Sequence, residues 1–317
     1  MGKPAGKILG LAAAVILSLC TIIWKAPLAE DGYLQAAVLK HQLLENTRSP
    51  RFIFIGGSNL AFGLDSRIIH KNFGLPVVNM ALNNGLGLRF MMNEVLDEIR
   101  PGDIVVVIPE YNFNLEPTHT LLEYVLYFPK GVKYIDFSGY LTLLREFPVT
   151  AQRRFEGFLR NWLFSQKPQN LSAEYNAAAF NEYGDNTGHL SQPGQKIAAR
   201  PMGIPVAIPE AVAALNRFKR KLDQKRAFLF LGFSPIPESG FPPSTKRKAL
   251  KLRRWLKDKA EFAVLGSPAN FVFPDHMFFD TVFHLNEEGR TARSHRLVNK
   301  LAPALKKVGA HPRAATD

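Results

Sequence analysis

Apolar residues fall into short compact runs that alternate with stretches where they recur every three or four positions. Arg51-Phe52-Ile53-Phe54-Ile55 is one such run, ended by Gly56-Gly57. Short, apolar and bounded by glycine, it reads as a buried strand. Pro76-Val77-Val78-Asn79 reads as a second strand, and Ile104 to Ile108, closed by Pro109, as a third. Between these two, Met91, Val95 and Ile99 repeat at helical spacing, and Pro101-Gly102-Asp103 stops the helix. This alternation predicts an α/β fold, a parallel sheet covered by helices.

The alternation returns after residue 209. Leu215, Phe218 and Leu222 mark one face of a basic helix, and Ala227 to Phe233 a fourth strand. Ala249, Leu252 and Leu256 form the inner face of another helix, whose outer face carries Lys246, Arg247, Lys248, Lys251, Arg253, Arg254 and Lys257. Glu261 to Leu265 reads as a fifth strand. A last helix runs from about Asn286 to Leu305, ahead of a polar tail. Gly32 to Glu45 predicts a short amphipathic linker helix.

Residues 112–209 interrupt the pattern. They hold aromatic clusters (Tyr124, Tyr127 and Phe128; then Phe155, Phe158, Trp162 and Phe164), and Asn181 to Pro209 is rich in Gly, Pro and Asn, which predicts loops. The stretch reads as an insertion. It forms either a lid or wall over a site, or additional helices packed on the sheet.

Lys3 and Lys7 precede an uncharged run, Ile8 to Trp24. The run is at the short end for a membrane-spanning helix, and a secretory signal peptide has the same layout. Cleavage ahead of Glu30 would put Ala29 at the −1 position but Pro27 at −3, a poor site. Leu17-Ser18-Leu19-Cys20 is a weak lipoprotein box, because Leu19 is too large. The alternative of a buried core helix fits less well with a run that is apolar all round at the extreme terminus. Residues 1–29 therefore read as a cytoplasmic N-terminus and an uncleaved transmembrane helix, and 30–317 as one domain carrying the insertion. The lysines on one side, with Glu30 and Asp31 on the other, place that domain outside the membrane.

Composition narrows the classes. The chain has 317 residues, 46% hydrophobic and 21% charged, which excludes a disordered chain. Cys20 is its one cysteine, which excludes an intrachain disulfide and a cysteine-based zinc site. The net charge of +13 favours an anionic partner over a neutral one. With the domain outside, that partner is not nucleic acid but lipid headgroups or an anionic glycan; the alternative is a solvated basic surface.

Two segments carry candidate chemistry. Ser58 directly follows the first strand, where open α/β sheets bind ligands. It reads either as a nucleophile or as a helix N-cap. His284 lies in Asp280-Thr281-Val282-Phe283-His284-Leu285-Asn286, where Asp280 can fix its tautomer; otherwise it is a surface histidine before an Asn286-capped helix. A metal site from Asp275, His276, Asp280 and His284 is a further alternative. Together the two segments give the chain order Ser…Asp…His. Gly-x-Ser-x-Gly is broken by Leu60, there is no P-loop, and Gly85-Leu86-Gly87 lacks the third glycine of a dinucleotide fingerprint, so no cofactor is expected.

Phe54-Ile55-Gly56-Gly57-Ser58-Asn59 and Asp280 to Gly289 resemble the first and last blocks of the SGNH/GDSL hydrolase superfamily. More narrowly they resemble its membrane-anchored envelope members, the polysaccharide O-acyltransferases and D-alanyl transfer proteins. The likeness covers Arg51 to Glu110 and Phe271 to about Leu301. It implies a flavodoxin-like three-layer α/β/α sandwich, with Ser58 as nucleophile, His284 as base and Asp280 as its orienter. Asn79 to Gly87 resembles the block that supplies a backbone oxyanion donor, with Gly85 expected in that role and Gly87 next, beside the Ser58 N–H. Asn59, Asn84 and Glu110 are expected at the substrate, although Glu110 also reads as a helix-start carboxylate. Two departures stand out. Asp280 and His284 are four apart where the family has three. The third strand ends in Pro109-Glu110-Tyr111-Asn112 rather than Gly-x-Asn-Asp, so either Asn112 completes the oxyanion hole or the hole is incomplete. The resemblance implies an esterase or O-acyltransferase at the outer face of a bacterial cytoplasmic membrane. Its substrate would be an envelope or exported polysaccharide, with a membrane-bound O-acyltransferase as donor. The alternative is a non-catalytic glycan-binding or assembly protein on the same fold.

Overall fold

A computed structural model describes residues 32–164, 172–195, 197 and 200–310, together with scattered helical positions between Gly6 and Thr21. The chain is α/β. Strand β1 (Phe52–Gly56) lies inside a five-stranded parallel sheet with β2 (Val77–Asn79), β3 (Ile104–Ile108), β4 (Phe228–Leu231) and β6 (Ala263–Val264), in the order β2-β1-β3-β4-β6. Two-residue strands β5 (Ile236–Pro237) and β7 (Val272–Phe273), unforeseen from the sequence, pair separately. With β5 set aside, the strand order is 2-1-3-4-5, and the direction in which strands are added reverses between β1 and β3. Every residue of β1 and β3 is buried, which requires cover on both faces.

Helices α1 (Ala36–Asn46), α2 (Ser58–Gly63), α3 (Ser66–Phe73), α4 (Leu88–Leu96), α5 (Thr120–Tyr127), α6 (Phe137–Phe164), α7 (Pro209–Gln224), α8 (Pro243–Lys259) and α9 (Glu287–Lys307) supply that cover. Helix α9 packs on α2 and α3, while α1 packs on α5 and α5 on α6. The faces expected of α7 and α8 are the buried ones: Leu215, Phe218 and Leu222, then Ala249, Leu252 and Leu256. Asn286 caps α9, its side chain accepting from the Gly289 N–H at 3.0 Å.

Three expectations change. The 32–45 segment is no linker: Ala36, Ala37 and Leu44 are buried in the core. Lys40 on α1 is buried and donates to the carbonyls of Asn79 (2.8 Å) and Gly184 (2.6 Å). Burial pushes its ammonium down to about 7, against the pull of Asp185 and Glu94. Helix α4 ends at Leu96, three residues before Ile99, although Ile99 is buried as expected. The 112–209 stretch, expected as either a lid or added helices, holds both helices and irregular chain. Helices α5 and α6 are added to the domain, and the described residues between 172 and 208 run largely without regular structure. The expected transmembrane run, Ile8 to Trp24, lies outside the described residues apart from those scattered positions, as does the tail from 311. Among the described residues no helix is long and apolar enough to cross a membrane.

Candidate active site

The sheet reverses between β1 and β3, and the crevice beyond their carboxyl ends is where such sheets hold ligands. Ser58 leaves β1 at that edge as the first residue of α2, with Gly57 as N-cap. Both glycines before it are needed for close approach. A Cβ on Gly56 would sit 2.6 Å from the Ile108 carbonyl, and one on Gly57 would sit 2.8 Å from Asn84 Cβ and 3.0 Å from its nitrogen. The loop after β2 therefore lies directly against the residue preceding Ser58.

His284 and Asp280 come from a loop closed by the antiparallel bridge Phe278–Leu285. Thr281 Oγ1 accepts from the His284 N–H at 3.1 Å and fixes the turn. The extra residue between the pair is thus absorbed, and His284 Nδ1 lies 2.8 Å from Asp280 Oδ1. The ring stacks on Phe62, centroids 4.2 Å apart, one helical turn after Ser58 and on the same face of α2. With Nδ1–H given to the carboxylate, Nε2 keeps its lone pair. Neither Nε2 nor Ser58 Oγ has a hydrogen-bond partner among the described residues.

Tyr175 completes this group, and no motif or periodicity pointed to it. Its hydroxyl donates to Asp280 Oδ2 and lies 3.3 Å from His284 Nδ1. Burial alone would raise the Asp280 carboxyl. The hydrogen bond and charge of His284 and the Tyr175 hydroxyl outweigh burial and hold it below the ordinary aspartate value. Burial, then Asp280 itself, push the Tyr175 phenol far above its ordinary value, so it stays a donor. Tyr175 belongs to the irregular part of the insertion, which therefore walls the site at His284.

The oxyanion side differs from expectation. Gly85 N–H is not free: it donates to Asn83 Oδ1 at 2.8 Å, inside a turn that Asn83 caps. Gly87 N–H goes to the Asn84 carbonyl at 3.2 Å. Neither Ser58 nor Asn84 gives its backbone N–H to a partner among the described residues. Asn84 Nδ2 donates to Asn112 Oδ1 at 3.3 Å, which brings the loops after β2 and β3 together beside Ser58. Asn112 is exposed and is followed by Phe113 at φ 45°, a left-handed conformation that is costly for a bulky residue.

Asn59 is not at a substrate surface. It is fully buried, its carbonyl and Oδ1 accepting from Arg293 at 2.6 and 3.0 Å. Glu110 is buried under the same turn and accepts from the Asn59 N–H. Burial raises its carboxyl to about 7, against that hydrogen bond. Of the metal alternative, Asp275 accepts from the Ser239 N–H and His276 faces Glu288 at 3.5 Å. Among the described residues no three His, Cys, Asp or Glu converge as metal ligands.

Behind the site lies a buried polar network that sequence reasoning missed. Asp185 accepts from the Ser66 N–H and hydroxyl, from Asn79 Nδ2 and from Arg290. It joins the insertion to α3, β2 and α9. His189 packs on Phe62 and Phe279, and Nε2 lies 2.9 Å from the Leu285 carbonyl. Burial pushes its pKa down to about 4, so it is a neutral strut under the His284 loop. No family model matches the chain, and no curated protein is similar enough to match it.

Proposed function

We propose that the chain is a serine acyl-transfer enzyme of the SGNH type. One observation carries this reading: the Asp280–His284 pair is stacked on the helix that begins with Ser58, at the carboxyl edge of a doubly wound sheet. Ser58 Oγ attacks an ester carbonyl and passes its proton to His284 Nε2, while Asp280 stabilises the imidazolium that forms. The Ser58 and Asn84 N–H groups, rather than Gly85, receive the oxyanion, with the Asn112 amide beside them. His284 then protonates the leaving alcohol. Water resolving the acyl-enzyme makes an esterase, and a sugar hydroxyl makes an O-acyltransferase. The reading extends to an anchor at residues 8–24, a domain outside the cytoplasmic membrane, and an envelope or exported polysaccharide as substrate. A membrane-bound O-acyltransferase supplies the acyl group.

The test is hydrolysis of an activated short-chain aryl ester by the full chain in detergent, beside Ser58→Ala and His284→Ala. Release by the wild type that disappears in both variants supports the mechanism. Release unchanged by Ser58→Ala overturns it. If no variant, wild type included, releases product or reacts with a fluorophosphonate, the chain is a glycan-binding protein on this fold instead.

A further inference from the structure

Helix α6 is amphipathic in an unusual sense. Phe137, Leu141, Leu144, Phe147 and Trp162 recur at helical spacing along one stripe, with Phe155 and Phe158 between them. That stripe faces outward: Phe137 is 79% exposed, Leu144 72% and Trp162 71%. The edge that packs on the domain instead carries Gly139, Thr150 and Arg154. Single exposed apolar residues need no explanation, but a stripe running the length of a 28-residue helix does.

We infer that α6 lies in the surface of a phospholipid bilayer, its stripe among the acyl chains and its arginines at the headgroups. Three observations favour lipid over other occupants. The residues are those of an interfacial helix, Phe, Leu and Trp on one face with Arg145, Arg153 and Arg160 on the other. The charge is complementary to anionic headgroups: between residues 130 and 164 there are six Lys or Arg against three Asp or Glu. The uncharged run 8–24 also leads into α1, and α1 is tied to α5 by His41 and Tyr124 (3.1 Å) and by the stacking of His41 on Phe128 (4.2 Å). Because α5 packs on α6, the helix that follows the run and the helix that carries the stripe are joined through α5. This second membrane contact needs no chemistry at Ser58. It holds the domain in a fixed orientation that a single point of attachment cannot impose.

The test uses the full chain reconstituted into phosphatidylcholine–phosphatidylglycerol vesicles, with Trp24→Phe and Trp255→Phe so that Trp162 alone reports. The expected result is blue-shifted emission, loss of emission with lipids brominated near the headgroup end of their acyl chains, and protection from acrylamide. A nitroxide on Leu144→Cys, in a Cys20→Ser background, should be accessible to oxygen and shielded from a water-soluble nickel complex. Emission characteristic of water, with full acrylamide quenching, overturns the inference. So does blue-shifted emission that brominated lipid leaves untouched, which would mean that protein (a second copy or residues 8–24) covers the stripe. Ester turnover measured on the same samples separates failure here from failure of the serine mechanism.

Discussion

The His284 imidazole lies flat on the Phe62 ring, 4.2 Å between centroids and 6° from parallel. The same Phe62 touches Tyr175 and His189, so one core aromatic positions the His284 ring, the tyrosine behind it and the strut beneath it. Phe62→Leu keeps the site apolar but removes the flat wall. It should cost about 1–2 kcal/mol of stability. Ester turnover should fall further than the folded fraction does. Urea unfolding beside turnover checks this, and full turnover in a folded Phe62→Leu protein would remove Phe62 from the account.

Tyr175→Phe should raise the pH at which the protein unfolds in acid. The Asp280 carboxyl is held below its ordinary value in the fold. Its contribution is therefore present above the unfolded value and lost as pH falls through the folded one. Without the Tyr175 hydroxyl the folded value moves up, and the loss begins at higher pH. At neutral pH the missing hydrogen bond should cost about 1–2 kcal/mol. Circular dichroism during acid titration measures the shift; superimposable curves would contradict the role given to Tyr175.

Glu110 should have the opposite signature. Its carboxyl is raised from 4.5 to about 7 in the fold. The folded state then binds more protons than the unfolded state between those values, so stability falls as pH rises through that window and levels off above it. The full effect is on the order of 3 kcal/mol. Glu110→Gln keeps an acceptor for the Asn59 N–H and should flatten the profile, leaving the variant the more stable protein above neutrality. Denaturant midpoints across the window decide it, and a variant with the wild-type slope would show that Glu110 is not the titrating group.

Gly57→Ala should damage turnover more than folding. The new Cβ would press on Asn84, whose backbone N–H is proposed to receive the oxyanion. Overpacking of this kind costs about 1–3 kcal/mol. The expected loss is in kcat, with KM little changed, because the displaced donor acts on the transition state. A variant that loses stability but keeps kcat would leave Asn84 without a part in the reaction.

The strands β1, β3 and β4 and the inner faces of α7 and α8 were legible in the sequence, because burial on both faces demands continuous apolar runs and a covering helix demands an apolar repeat. The placement of Ser58 at a strand end and of the Asp280–His284 pair ahead of a helix was legible as well, because the Gly56-Gly57 stop and the Asn286 cap mark those boundaries locally. The wall of the site was not. Tyr175, Asp185 and His189 sit in an irregular segment with no periodicity, and their partners are about a hundred residues away in the chain. The choice among Gly85, Gly87 and Asn84 was not legible either, since it depends on which N–H the Asn83 side chain takes. Local sequence determines which residues prefer strand or helix and which can do chemistry. Only tertiary packing decides which polar groups are already satisfied by one another and which are left to meet a substrate.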